Sequence, residues 1–273
     1  MRYCSYLLLL ILAACSSPKE APSAAETGHE DAAAPGTTIH NSGIQYFKGT
    51  VNQKISVFLW LRIDSHDSIL DGAVVYTSGK SKAPIRLLGS LGGEDHVMME
   101  YLPDGQVSGM WAGRISESGF KGIWSAPGSE KEFPFQLGRL DTSLSAVPGF
   151  NVTGDITGSY EYNYPKEGAL GALNVRLLDP SHISCNIDAN IGAPSYNMAM
   201  TGEDTLELQG NTAIHQANDE YGACRYRIRF FRDFAVIDYP TGEYECGFGH
   251  NATVEGLFIK TGNEYHPSVD EGL

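Results

Sequence analysis

The chain has 273 residues, 33 of them acidic and 19 basic, for a formal charge of −14. That balance repels nucleic acid and anionic lipid headgroups, and leaves basic macromolecules as the partners its field attracts. Thirty-one glycines and fourteen tyrosines, without long Leu/Ala/Glu/Lys stretches at helical period, argue against a helical bundle and for many short strands joined by glycine-containing turns.

In chain order, Arg2 stands ahead of an apolar run at 7–12. Such a run matches a signal-peptide core and falls far short of the ~20 residues that span a bilayer. It ends in Leu12-Ala13-Ala14-Cys15, a branched apolar residue and two small residues before a cysteine. This resembles the lipobox of bacterial lipoproteins. The resemblance implies cleavage before Cys15, a diacylglyceryl group on its sulfur and, often in that family, an acyl chain on the freed amine. Two or more chains anchor stably where one is marginal. Residues 1–14 are then a signal peptide, which carries Cys4 away. The membrane is a partner through Cys15, and the body lies outside the cytoplasm in the cell envelope. Ser16 and Ser17 follow, with no Asp to signal inner-membrane retention, which favours the outer membrane.

Residues 16–42 contain no aromatic side chain and one large aliphatic, Ile39. Such a segment buries too little to order itself, so 15–42 is expected to be a flexible tether reaching roughly 30 Å. From residue 43 to 140 the pattern is strand, turn, strand. About eight strands are expected, at 44–48, 54–63, 69–77, 85–91, 97–102, 107–115, 120–125 and 133–137. The segment 54–63 opens with alternation and then turns continuously apolar, as a strand covered on both faces would. Pro103-Asp104-Gly105 is a hairpin signal. Gly109-Met-Trp111 and Gly122-Ile-Trp124 repeat one spacing on adjacent strands. Trp111 and Trp124 on one face either fill the interior or line an aromatic pocket.

Residues 138–150, with Pro148-Gly149, lose periodicity and mark a domain boundary. A second strand-rich domain occupies 150–262, with strands expected at 156–164, 173–178, 183–187, 196–200, 206–209, 213–216, 224–231, 234–239 and 257–260. Residues 263–273 are polar and expected to fray. The fold class is all-β: two small antiparallel barrel-like domains in series after a disordered tether, with one continuous sandwich as the rival.

Cys185, Cys224 and Cys246 remain after processing. An oxidising envelope favours pairing, and Cys224 with Cys246 is the expected disulfide, closing ~22 residues for roughly 3 kcal/mol. Cys185 lies in the apolar alternation Ile183-Ser-Cys185-Asn-Ile187 and is expected to be a buried, inert thiol. Gly158-Ser-Tyr160, Gly192-Ala-Pro-Ser-Tyr196, Gly222-Ala-Cys224, Cys246-Gly-Phe-Gly-His-Asn251 and Gly256-Leu-Phe258-Ile-Lys260 together resemble uncharacterised secreted or lipid-anchored bacterial domains across 155–261. That resemblance carries no established activity. The combination of lipobox, small barrel, one disulfide and acidic body has a general likeness to periplasmic lysozyme inhibitors. No inhibitory loop matches theirs residue by residue.

Arg225, Arg227 and Arg229 alternate with apolar residues and so share one strand face. They can fork onto an anionic ligand, or pair across strands with carboxylates such as Glu203, Asp204 and Glu207. Phe248, between two glycines beside Cys246, is a candidate contact. His66 and His96 sit in turn-like sequence without a second histidine at ligand spacing, so no metal is expected. No cofactor, nucleophile-elbow, phosphate-loop or metalloprotease motif is present. The sequence therefore favours a non-catalytic envelope binding module for a basic protein or a glycan. A lysozyme inhibitor is the alternative, and an envelope hydrolase with two close carboxylates is the second.

Overall fold

A computed structural model of the chain describes residues 43–267, except 65–67, 80–81, 92–94, 142–154, 167, 220–221 and 241–245. The signal peptide, Cys15, the tether, most of the expected boundary at 138–150, His66 and residues 268–273 lie outside the described residues.

The first eight strands are β1 (Ile44–Val51), β2 (Ile55–Asp64), β3 (Ile69–Tyr76), β4 (Ile85–Leu91), β5 (His96–Tyr101), β6 (Val107–Ser116), β7 (Gly119–Ser125) and β8 (Glu132–Leu140). Each pairs antiparallel with the next, and β8 returns to β1 with Val51 opposite Phe135, closing a barrel. Closure leaves no unpaired edge. Period-2 alternation selects the inner face, so Phe47, Val57, Leu59, Leu61, Leu87, Met98, Trp111 and Phe120 fill the lumen. β2 corrects one expectation. Its buried residues alternate with half-buried ones rather than running continuously, because Phe58 and Trp60 face outward, with Phe58 stacked on Tyr46.

The second set is β9 (Gly158–Tyr164), β10 (Ala169–Asp179), β11 (His182–Asn190), β12 (Met198–Met200), β13 (Asp204–Gln209), β14 (Thr212–Asp219), β15 (Gly222–Phe231), β16 (Phe234–Asp238) and β17 (Gly256–Gly262). β10 pairs with both β9 and β11, and β17 returns to β9, so eight of these strands close a second antiparallel barrel. β12 is an extra short strand on β11. Tyr160, Leu173, Ile187, Tyr226, Ile228, Phe230 and Phe258 are buried in the lumen. The two-barrel alternative, rather than one sandwich, describes the fold.

The C-terminal segment is tied down further than expected. The Glu264 carbonyl accepts from Ser159 Oγ, the His266 carbonyl from Asn186 Nδ2, and Tyr265 lies under Arg176. These contacts satisfy polar side chains on the outer face of β9 to β11, a gain that fraying would lose.

The barrels pack outer face to outer face. Ile69, Leu88, Tyr101 and Val107 of the first meet Phe231, Phe234 and Val236 of the second. Tyr101 donates to the Leu257 carbonyl (2.9 Å), and Asn163 N–H to the Gly105 carbonyl (3.0 Å). Arg86 lies over Phe234.

Candidate functional site

Above this shared core a cleft of about 740 Å³ opens between the barrels. The first barrel contributes Tyr76, Ala83, Pro84, Ile85 and Arg86, then Tyr101, Leu102 and Pro103 from the β5–β6 connection. The second contributes Asp233 at the β15–β16 turn, with Ile259 and Lys260 of β17. Its volume falls within the ~300–1,000 Å³ of small-molecule sites.

The polar wall residues are held from behind. Tyr76 donates its hydroxyl to Glu100, a carboxylate 2% exposed at the mouth of the first barrel. Burial and the Glu100 charge both raise the Tyr76 pKa, so it stays a donor. Glu100 also accepts from Trp111 Nε1 (2.8 Å), Trp124 Nε1 (3.1 Å) and Ser108 Oγ (3.2 Å). A bulge between Glu100 and Tyr101 admits Ser108 as the extra residue. Gly109 leaves room for the cluster, since a Cβ there would stand 2.6 Å from Glu100 Oε2. Arg86 pairs with Asp71 (2.9 Å), a carboxylate it shares with Arg62. Lys260 donates to the Asp155 carbonyl (3.1 Å) over the Tyr160 ring. The walls are therefore fixed before any ligand arrives.

The predicted residues distribute differently. Trp111 and Trp124 face each other across β6 and β7, but Trp111 is fully buried in the core. Instead of lining an open pocket, the two indoles anchor Glu100. Sequence reasoning missed Glu100 because a lone carboxylate in Val97-Met-Met-Glu-Tyr101 resembles a solvent-facing position.

Arg225, Arg227 and Arg229 do share the outer face of β15. Cross-strand pairing with a carboxylate holds for Arg227 and Arg229, and the carboxylate is Asp238. Arg227 and Arg229 both bond Asp238 on β16 (2.8 and 2.9 Å), because Asp238 stands opposite Arg227 in register. Asp204 instead meets His215 Nδ1 (2.7 Å), and Glu203 accepts from Ser184 (2.6 Å). Two of the three arginines thus hold the sheet together.

Cys224 and Cys246 are bonded, with sulfurs 2.09 Å apart. The bond ties the 246–251 loop to β15, while Gly249 N–H donates to the Met198 carbonyl (3.0 Å) and Asn197 Nδ2 to that of His250 (2.6 Å). β13 and β14 pair at only two positions before they diverge, and this loop lies pinned between β12 and β15. Phe248 packs against the second core instead of projecting to solvent. Cys185 is buried, and burial pushes its thiol up to about 12.

His96 also departs from expectation. It opens β5 on the inner face with Met98, is buried rather than in a solvated turn, and burial lowers its pKa. Among the described residues, no group of three or more His, Cys, Asp or Glu side chains is placed to hold a metal ion. Comparison with known proteins found no matching family model, curated protein or solved structure.

Proposed function

We propose that this chain is a lipid-anchored, non-catalytic binding module of the bacterial cell envelope, and that its ligand occupies the cleft between the barrels. The single observation that carries the site is the cleft's construction: an apolar floor with four polar wall residues, Tyr76, Tyr101, Arg86 and Lys260, already bonded to other groups of the protein. Such preorganisation lowers the ordering cost of binding. The anchor rests on the Leu12-Ala-Ala-Cys15 motif. A hydrolase is less well supported, because the cleft lining carries one carboxylate, Asp233, where glycoside hydrolysis uses two.

The test is a photoreactive side chain at the exposed Ala83, in the full chain in its native envelope, against the same group at the exposed Lys121 on β7. Position 83 is expected to yield a discrete adduct that position 121 does not. Equal labelling at both would defeat the cleft as ligand site. Cys15→Ala is expected to release the protein from the membrane fraction, and full retention would refute the anchor.

A further inference from the structure

The outer face of the first barrel carries a second surface, away from the cleft. Alternation along β2 leaves its outward positions to face solvent, where polar residues are the rule. Phe58 and Trp60 stand there instead, and Tyr46 joins them from β1. Register sets Tyr46 opposite Trp60 and Lys48 opposite Phe58. The Tyr46 and Phe58 rings are 6.0 Å apart and within 29° of parallel. Phe58 and Trp60, two residues apart on one face of a strand, extend the patch by roughly 7 Å. All three rings are half-buried, so part of each stays open to solvent.

β8 forms a low ledge beside the rings. Gly138 lies opposite Lys48 and is exposed. A Cβ there would meet nothing nearer than the Lys48 carbonyl, at 3.9 Å. Glycine in mid-strand weakens the strand, and it often marks a place where a ligand comes close to the backbone. Around the ledge, Lys48 and Gln136 are exposed and Thr50 is half-buried. Among the described residues their side chains make no hydrogen bond or ion pair, so their donors and acceptors are open to a ligand.

Ligand classes ask different things of such a face. A peptide that adds as a strand needs a free sheet edge, and β1, β2 and β8 are each paired on both sides. A lipid surface needs none of the polar rim, and its anionic headgroups repel a chain of formal charge −14. A sugar ring presents C–H groups on its faces and hydroxyls at its edge. The C–H groups suit the negative face of an aromatic ring. The hydroxyls, costly to bury unpaired, find Lys48, Thr50 and Gln136 at the rim.

We infer that this face binds a glycan chain, with sugar rings on Tyr46, Phe58 and Trp60 and hydroxyls at Lys48, Thr50 and Gln136. The test is calorimetry on the full chain carrying Cys15→Ser, titrated separately with tetra-N-acetylchitotetraose, cellotetraose and maltotetraose. At least one is expected to bind saturably. Trp60→Ala is expected to weaken that binding about tenfold, from lost apolar contact. Gly138→Arg has room for its side chain and obstructs the ledge, so it is expected to weaken binding as well, and it decides the matter if Trp60→Ala fails to fold. Ala83→Trp, which fills the cleft between the barrels from an exposed position, is expected to change nothing. Absence of binding with all three sugars overturns the inference. Binding abolished by Ala83→Trp, and unaltered by Trp60→Ala and Gly138→Arg, would assign the sugar to the cleft and overturn the aromatic face. Binding to phosphatidylcholine vesicles that Trp60→Ala abolishes would make the face a lipid contact and overturn the glycan.

Discussion

At the scale of single residues, the informative group is Glu100. Its buried carboxylate is sustained by four donors, Tyr76, Ser108, Trp111 and Trp124. Glu100→Ala strands those donors, so a loss of about 3 kcal/mol is expected in urea unfolding. Glu100→Gln keeps an accepting oxygen and is expected to cost about 1 kcal/mol. Equal, small losses would mean the network contributes little. Cys185 gives a pH test. Its thiol is raised from an ordinary 9.0 to about 12, so the unfolded chain ionises first as pH rises. This site's contribution is complete below about pH 9 and is lost towards pH 12. Cys185→Ala is expected to shallow the alkaline loss of stability, and the native thiol to resist alkylation until the protein unfolds. Of the singled-out residues, Arg227 was legible in more detail than the alternation alone suggests. A two-residue turn at Arg232-Asp233 fixes a register in which Phe231 meets Phe234, and counting back puts Arg227 opposite Asp238. Glu100 had no comparable local signal, because its four donors come from three strands, β3, β6 and β7.

At the scale of elements, the strands were legible because each lumen demands apolar residues at period 2 and each turn demands its Gly, Pro or Asx signal. Harder to read was the weak join between β13 and β14, since the register of a divergent pair is set by distant closure. There Asp204 and His215 bridge the gap by side chains, and the disulfide loop is pinned at its end. Replacing Cys224 and Cys246 together by Ala is expected to cost about 3 kcal/mol in the chain-entropy account. Amide exchange at Gly249 is expected to accelerate before that of the β1–β8 barrel. Uniform acceleration across both barrels would show that the bond acts on global stability instead of on this loop.

At the scale of the whole molecule, the barrels share a core in which Phe234 stacks on Phe231 (4.7 Å) and lies beneath Arg86. Burial of these aromatic faces couples the two lumens, so one cooperative unfolding transition is expected. Phe234→Ala is expected to cost about 3–5 kcal/mol, with the two barrels then melting separately. The cleft depends on that same contact, since its two walls belong to different barrels, and this is why no local motif announced it. The most direct test of the cleft as a ligand site is native mass spectrometry of the full chain purified from its own envelope, beside Ala83→Trp. The wild-type protein is predicted to carry a discrete non-covalent mass that the cleft-filled variant lacks. Identical masses for both proteins, bare or loaded, would contradict the account.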